Sequence, residues 1–204
     1  MRKKILKGIE AFNECWFRTC YYHQLIAGLS YYGVPAEYTI LNYTADITCD
    51  KARGEYSYER KDVLSEEEYE QLTGVRAEKH VYADIESSLI KSVRRNVPVI
   101  LGQDNFYITY RPEYGQFHNA HFVLVFGYNL DEKVFAVMEH SFASGLDFAM
   151  RYVTIDGIEE AYKGFREHCT QYDWTAAELR RNDGEIQSYC VQCSRNPLYA
   201  SSIP

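Results

Sequence analysis

No stretch of this sequence approaches the ~20 consecutive apolar residues that a bilayer-spanning helix requires, so no membrane span is expected. Proline is scarce, with five scattered through 204 residues. No internal repeat, low-complexity tract or Pro/Gly/Ser-rich linker divides the chain, which reads as one body. Positive charge is in deficit: 22 Lys and Arg against 29 Asp and Glu leave a formal net charge of −7. Sequence-independent grip on nucleic acid needs clustered cations that displace counterions, so that class of partner is excluded. No Gly-x-Gly-x-x-Gly or phosphate-loop motif is present, and nucleotide chemistry has no support. The first ten residues are basic, but Lys7 and Glu10 break any signal-peptide apolar core. The six cysteines therefore read as reduced thiols of a cytoplasmic protein rather than as a disulfide framework.

What the sequence has in excess is tyrosine, with 19 residues. A large apolar ring with a polar tip suits wet pockets and interfaces as well as core. Periodicity places a helix from near Cys20 to Tyr32, with Leu25, Ile26, Leu29 and Tyr32 on one face, Thr19 at the N-cap, and Gly33 and Pro35 as stops. Residues 36–64 read as irregular, with room for a short strand. Ser65-Glu-Glu-Glu68 is a capping-box pattern opening a short acidic helix that Gly74 ends. A further helix is expected from Asp84 to about Asn96. The pattern then shifts to short β-branched runs over 97–103, 121–128 and 133–139, with Asn129-Leu-Asp-Glu132 as hairpin turn. A fourth strand over 150–155 and a helix opened by Asp156 and Glu159 and reaching Phe165 complete the regular part. Helices first and antiparallel strands afterwards make an α+β fold. Residues 1–165 are expected to form the main domain, with 166–204 a less regular C-terminal extension packed on it.

Three residues combine into a chemical hypothesis. A thiol is nucleophilic as thiolate, which a helix N-terminus and a neighbouring imidazole both favour. Cys20 opens the first helix. His121 begins one apolar strand and Glu139 ends the next, so a hairpin would bring them together as base and orienting carboxylate. Each has a plainer reading: a buried structural thiol, a hydrogen-bonded core histidine and a strand-end acid.

Two blocks of residues then stand out. The first is Cys20-Tyr-Tyr-His-Gln-Leu-Ile-Ala-Gly-Leu-Ser-Tyr-Tyr-Gly33. The second is Val97-Pro-Val-Ile-Leu-Gly-Gln-Asp104, followed by Tyr107, Tyr110, Tyr114, His118-Asn-Ala-His121 and Gly127-Tyr128. Together they resemble the papain-like family named after the N-terminal domain of butirosin biosynthesis protein H, over roughly residues 12–165. More distantly they are similar to bacteriocin-processing double-glycine peptidases. The resemblance implies a papain-like cysteine peptidase fold, with an N-terminal helix packed on an antiparallel sheet. It also implies a cysteine acyltransferase or thioesterase that takes an acyl or peptidyl group from a carrier-protein thioester. The group would pass to a small amine or to water, in antibiotic or nonribosomal peptide assembly. Cys20 would be nucleophile, His121 general base and acid, and Glu139 the orienting carboxylate where aspartate is the commoner occupant. Asp104 matches a family aspartate, either a substrate contact or a structural acceptor. Papain-like enzymes place a glutamine shortly before the cysteine to bind the oxyanion. None occurs in residues 1–19, which leaves Asn13, otherwise a turn residue, with the Cys20 backbone N–H.

Other signals are secondary. Tyr107 and Tyr110 line an acyl pocket or form a packed stripe. Cys15 is the rival nucleophile, His118 the rival base, and His23 a packing residue. Cys190-Val-Gln-Cys193, with His168-Cys169, carries half of a zinc-ribbon spacing, so no catalytic metal and no cofactor is expected. An acidic chain docking an acidic carrier protein calls for a local basic patch beside Cys20, either Lys91, Arg94 and Arg95 or Lys3 and Lys4. A peptidase or amidase, and a non-catalytic binding relative, are the alternative functions.

Overall fold

Thr19 is extended and the next residue begins helix α1 (Cys20–Ser30), although the Thr19 side chain makes no capping hydrogen bond. The computed structural model describes residues 1–14, 19–50, 53–140 and 148–182. Cys15, Cys190 and Cys193 lie outside the described residues, as does the tail from 183 onward. α1 ends at Ser30 and a turn carries the chain through Gly33, whose φ of 73° is in the left-handed region.

Residues 36–64, expected to be irregular, instead form helix α2 (Ala36–Leu41) and strands β2 (Thr44–Asp50) and β3 (Glu55–Lys61). β2 and β3 pair antiparallel as a separate two-stranded sheet. Their polar, largely exposed residues carry no inward-facing apolar alternation, so periodicity could not reveal them. The capping box forms as read. Ser65 Oγ accepts from the Glu68 N–H, Glu68 Oε2 accepts from the Ser65 N–H, and Gly74 closes α3 (Glu66–Thr73) in the left-handed conformation. Asp84 caps helix α4 (Ile85–Arg94).

The main sheet contains β1 (Lys3–Ile5), β4 (Val75–His80), β5 (Val99–Asp104), β6 (Ala120–Asn129), β7 (Val134–His140), β8 (Phe148–Thr154) and β9 (Ala176–Arg181). Its order is β4-β9-β5-β6-β7-β8, all antiparallel, with β1 added to the far end of β6. Helix α5 (Ile155–His168) follows β8, capped by Thr154. The α+β class, with an N-terminal helix on an antiparallel sheet, is the fold observed. β9 was expected within an irregular tail, yet it lies between β4 and β5 inside the sheet. Ala176, Ala177 and Leu179 have no exposed surface there.

Two register details decide where the candidate residues go. From Asn129↔Val134 to Gly127↔Ala136 the β6–β7 ladder is regular, and a bulge then shifts it to Val125↔Val137 and Leu124↔Met138. Extended by one pair, the shifted ladder sets Glu139 opposite Val123, on the side of β6 that His121 shares. Without the bulge Glu139 would face Leu124 and point away from His121, because one residue of slip exchanges the faces of a strand. The second detail is the seating of α1. A Cβ on Gly28 would collide with Leu179 Cδ1 and lie 3.3 Å from Leu124 Cδ1. α1 and α5 meet over Phe122, whose ring contacts Tyr21 at 5.7 Å and Phe165 at 5.7 Å.

Gly28→Val should therefore lift α1 off β6 and β9 and cost roughly 1–3 kcal/mol of stability from overpacking. Urea unfolding with an unchanged m-value and a lower midpoint is the expected result; an unchanged midpoint would show that α1 has slack.

Candidate active site

The start of α1 lies against the start of β6. Gln24, one turn into the helix and buried, donates Nε2 to the Phe122 carbonyl at 2.9 Å. In return, the Phe122 backbone N–H donates to the Cys20 sulfur. The imidazole of His121, with 2% of its surface exposed, also hydrogen-bonds that sulfur. His121 Nε2 lies 2.9 Å from Glu139 Oε2 and 3.0 Å from Oε1. Since Nε2 faces the carboxylate, Nδ1 is the ring nitrogen left for the thiol. The three residues joined by the strand-end argument are thus in one chain of contacts.

Glu139 has no exposed surface, and an ionised carboxylate there needs several partners. It has four. Besides His121, Tyr110 donates its hydroxyl to Oε2 at 3.0 Å, the His140 N–H donates to Oε1 at 2.7 Å, and Arg111 Nη1 reaches Oε1 at 3.5 Å. Arg111 Nη1 also lies 3.2 Å from His121 Nε2, and its Nε lies 3.5 Å from Glu113 Oε2. The charges alternate in sign from Cys20 through His121, Glu139 and Arg111 to Glu113. Each is thereby offset by a neighbour of opposite sign.

Burial pushes against charge at every one of these groups, and the partners overcome it. Burial would raise the Cys20 thiol, but the His121 hydrogen bond and charge and the Phe122 N–H hold it below its ordinary value. Burial would lower His121, but Glu139 and the Cys20 sulfur raise it to about 9. Burial would raise Glu139, but His121, Arg111 and the His140 N–H keep it below the usual carboxylate range. A thiolate–imidazolium pair at neutral pH is the state these directions describe.

The other predicted residues take different places. Asn13 spends its carboxamide on the main chain of Phe148, with Nδ2 to the carbonyl at 3.1 Å and Oδ1 accepting from the N–H at 2.8 Å. It serves as a tie to β8, and the remaining donor at the helix start is the Cys20 N–H. Tyr110 supports Glu139 rather than walling a pocket. Tyr107 packs on α5, where a Cβ on Gly164 would strike its ring. Asp104 accepts from the N–H groups of Phe106 and Asn119, both at 3.1 Å, and faces His118 Nδ1 at 2.6 Å. His118, the rival base, belongs to that cluster and not to Cys20. His23 is buried, with Nδ1 3.4 Å from His140 Nε2.

The two cationic segments named for a basic patch do meet, since Lys4 Nζ donates to the Arg94 carbonyl at 2.9 Å and to Asn96 Oδ1 at 2.8 Å. However, Lys4 pairs with Tyr128 of β6. That is seven residues from His121, roughly 23 Å at ~3.3 Å per residue. The patch is thus at the wrong end of the strand to frame the Cys20 groove.

Sequence reading missed Arg111 and a ring-lined cavity at the first turn of α1. A cavity of about 740 Å³ opens next to the first turn of α1, lined by Tyr21, Tyr22, Tyr69, Trp174, Asp62 and Glu66 among others. Tyr21 and Tyr22 directly follow Cys20, which is the one signal that could have pointed to them. Trp174 comes from the segment read as tail.

Residues 58–140 match the family model described as butirosin biosynthesis protein H, N-terminal. The match is to less than half of the chain, takes in His121 and Glu139, and starts beyond Cys20. A solved structure described as a C39-like peptidase from Bacillus anthracis is similar at 17% sequence identity, covering 87% of this chain and 97% of that one, with a TM-score of 0.48. No curated protein matches the chain. Among the described residues no helix is long and apolar enough to cross a membrane.

The ion pair has a definite pH signature. As pH falls, Cys20 should stay alkylatable by iodoacetamide below the range in which a free thiol, with pKa ~8.5, has become protonated. As pH rises through about 9, His121 loses its proton, so any turnover that needs a proton donor should decline there. Glu139→Gln removes the charge that sustains the imidazolium. The alkaline decline of turnover should then begin at lower pH, because His121 gives up its proton sooner. An alkaline limb unchanged in Glu139→Gln would mean the carboxylate does not act on the imidazole.

Proposed function

From the kinship of residues 58–140 with butirosin biosynthesis protein H, we propose that this chain is a cysteine-dependent acyltransferase or thioesterase. It accepts an acyl or peptidyl group from a carrier-protein thioester onto Cys20, in antibiotic or nonribosomal peptide assembly. The observation that carries the reading is the Cys20 sulfur hydrogen-bonded to His121, with Glu139 behind it.

The thiolate of Cys20 attacks the thioester carbonyl carbon, forming a C–S bond and a tetrahedral oxyanion at the start of α1. The Cys20 N–H and the positive end of the helix stabilise that charge. Collapse breaks the bond to the carrier sulfur, which takes the His121 proton and leaves as thiol. An amine or water then attacks the acyl-Cys20 carbonyl. Neutral His121 accepts its proton, and the Cys20 thiolate leaves as the new amide or acid forms. Carrier docking would use a surface other than the distant Lys4–Arg94 patch.

A peptide amide is the second reading, favoured by the raised His121. An amine leaves a tetrahedral intermediate only with a proton, and an imidazole at about 9 still holds one at neutral pH. Intact-mass measurement after exposure to acyl-pantetheine thioesters or to peptide amides separates the two. Thioesters should add one acyl group to the wild type and none to Cys20→Ser. An adduct from amides alone would shift the assignment to peptidase, and an adduct mapping to Cys15 would overturn the site.

A further inference from the structure

We propose that Asp104, His118 and His168 form a binding site for one divalent transition-metal ion of the zinc type, separate from the Cys20 site. One oxygen or nitrogen from each of the three lies within 4.8 Å of the others. Asp104, with no exposed surface, ends β5. Its Oδ1 is pinned by the backbone N–H groups of Phe106 and Asn119, which leaves Oδ2 pointing to His118 Nδ1 at 2.6 Å. His168 is the last residue of α5, and its ring stacks on that of His118 with centroids 3.7 Å apart and planes 28° apart. The stacking sets a second imidazole beside the one that already faces the buried carboxylate.

The donor chemistry suits zinc, cobalt or nickel better than magnesium or calcium, because two imidazole nitrogens are softer than the all-oxygen sets those ions prefer. Ligands at ~2.0 Å in a tetrahedron stand roughly 3.3 Å apart. The Asp104–His118 distance therefore opens slightly to admit the ion, and the His168 ring turns out of its stack to bring its lone pair to the same point. His118 and His168 side chains are 37% and 36% exposed, which gives the ion a path and the rings room. The buried carboxylate stays fixed. Three protein ligands leave a fourth position for water. The ion would join both ends of the segment 105–119, which carries Tyr110 and Arg111, to the C-terminus of α5.

The test is cobalt(II) titration of chelator-stripped full-length Cys20→Ser protein, followed by visible absorption and by metal analysis after desalting. One equivalent is expected, with d–d bands of a low-coordinate site and no thiolate-to-cobalt charge-transfer band. His118→Ala and His168→Ala should each abolish that equivalent while far-UV circular dichroism stays native. Zinc should compete with cobalt for the site and raise the Tm of the parent protein but not of the two variants. Three results would each overturn the proposal: no binding, a thiolate band that disappears in Cys190→Ser or Cys193→Ser, or binding that survives loss of both histidines.

Discussion

A carboxylate sealed from water constrains this structure more than any other group. Glu139 stays ionised only because four donors converge on its two oxygens. Removing one partner from a buried ion pair costs on the order of 3–5 kcal/mol. Those donors come from separate parts of the chain: His121 from β6, His140 from the end of β7, and Tyr110 and Arg111 from the connection between β5 and β6. The connection is thereby tied down over the strand ends instead of lying loose in solvent. The energy that desolvates the carboxylate is recovered as positioning of the imidazole.

That positioning passes on to the sulfur. Glu139 sustains the charge on His121, and His121 with the Phe122 N–H sustains the thiolate at Cys20. Charges of alternating sign lose less on burial than one pair does, because every member has a counter-charge within hydrogen-bond range. Arg111 has a double effect. It steadies Glu139, and it also stands 3.2 Å from His121 Nε2, where it opposes the imidazolium. Glu113, on its far side, draws off part of that charge. The result is a proton on His121 held firmly enough to form an ion pair with the Cys20 sulfur.

The surroundings separate function by place. The ring-lined cavity lies beside the helix start, the Lys4–Arg94 contact at the opposite end of β6, and the Asp104–His118–His168 cluster at the end of α5. Segment 105–119 joins the last of these to Glu139, since its residues support that carboxylate and its ends meet α5. β9 closes the sheet between β4 and β5 and brings with it Trp174 and Tyr172, whose rings sit on Phe122 at 5.4 and 5.3 Å. The segment that looked least regular in the sequence therefore supplies both a sheet strand and part of the cavity wall.

The sequence by itself determined the amphipathic helices α1, α4 and α5, the capping box at Ser65, the apolar strands β5 to β7, and the nomination of Cys20, His121 and Glu139. These are local or near-local signals: a period, a cap, a hairpin turn. It did not reveal the β2–β3 hairpin, whose residues bury no face, or β9, whose Ala-Ala-Glu-Leu pattern is short and interrupted by a buried acid. It assigned Asn13 to an oxyanion and Tyr110 to a pocket, since the composition of a loop does not say where its side chains point. Only the tertiary structure decided that a bulge in β6 turns Glu139 to the face of His121, that Arg111 folds back over both, and that the two cationic segments meet far from the thiol. Each of those depends on register and chain reversal, which join residues distant in sequence and leave no periodic trace in it.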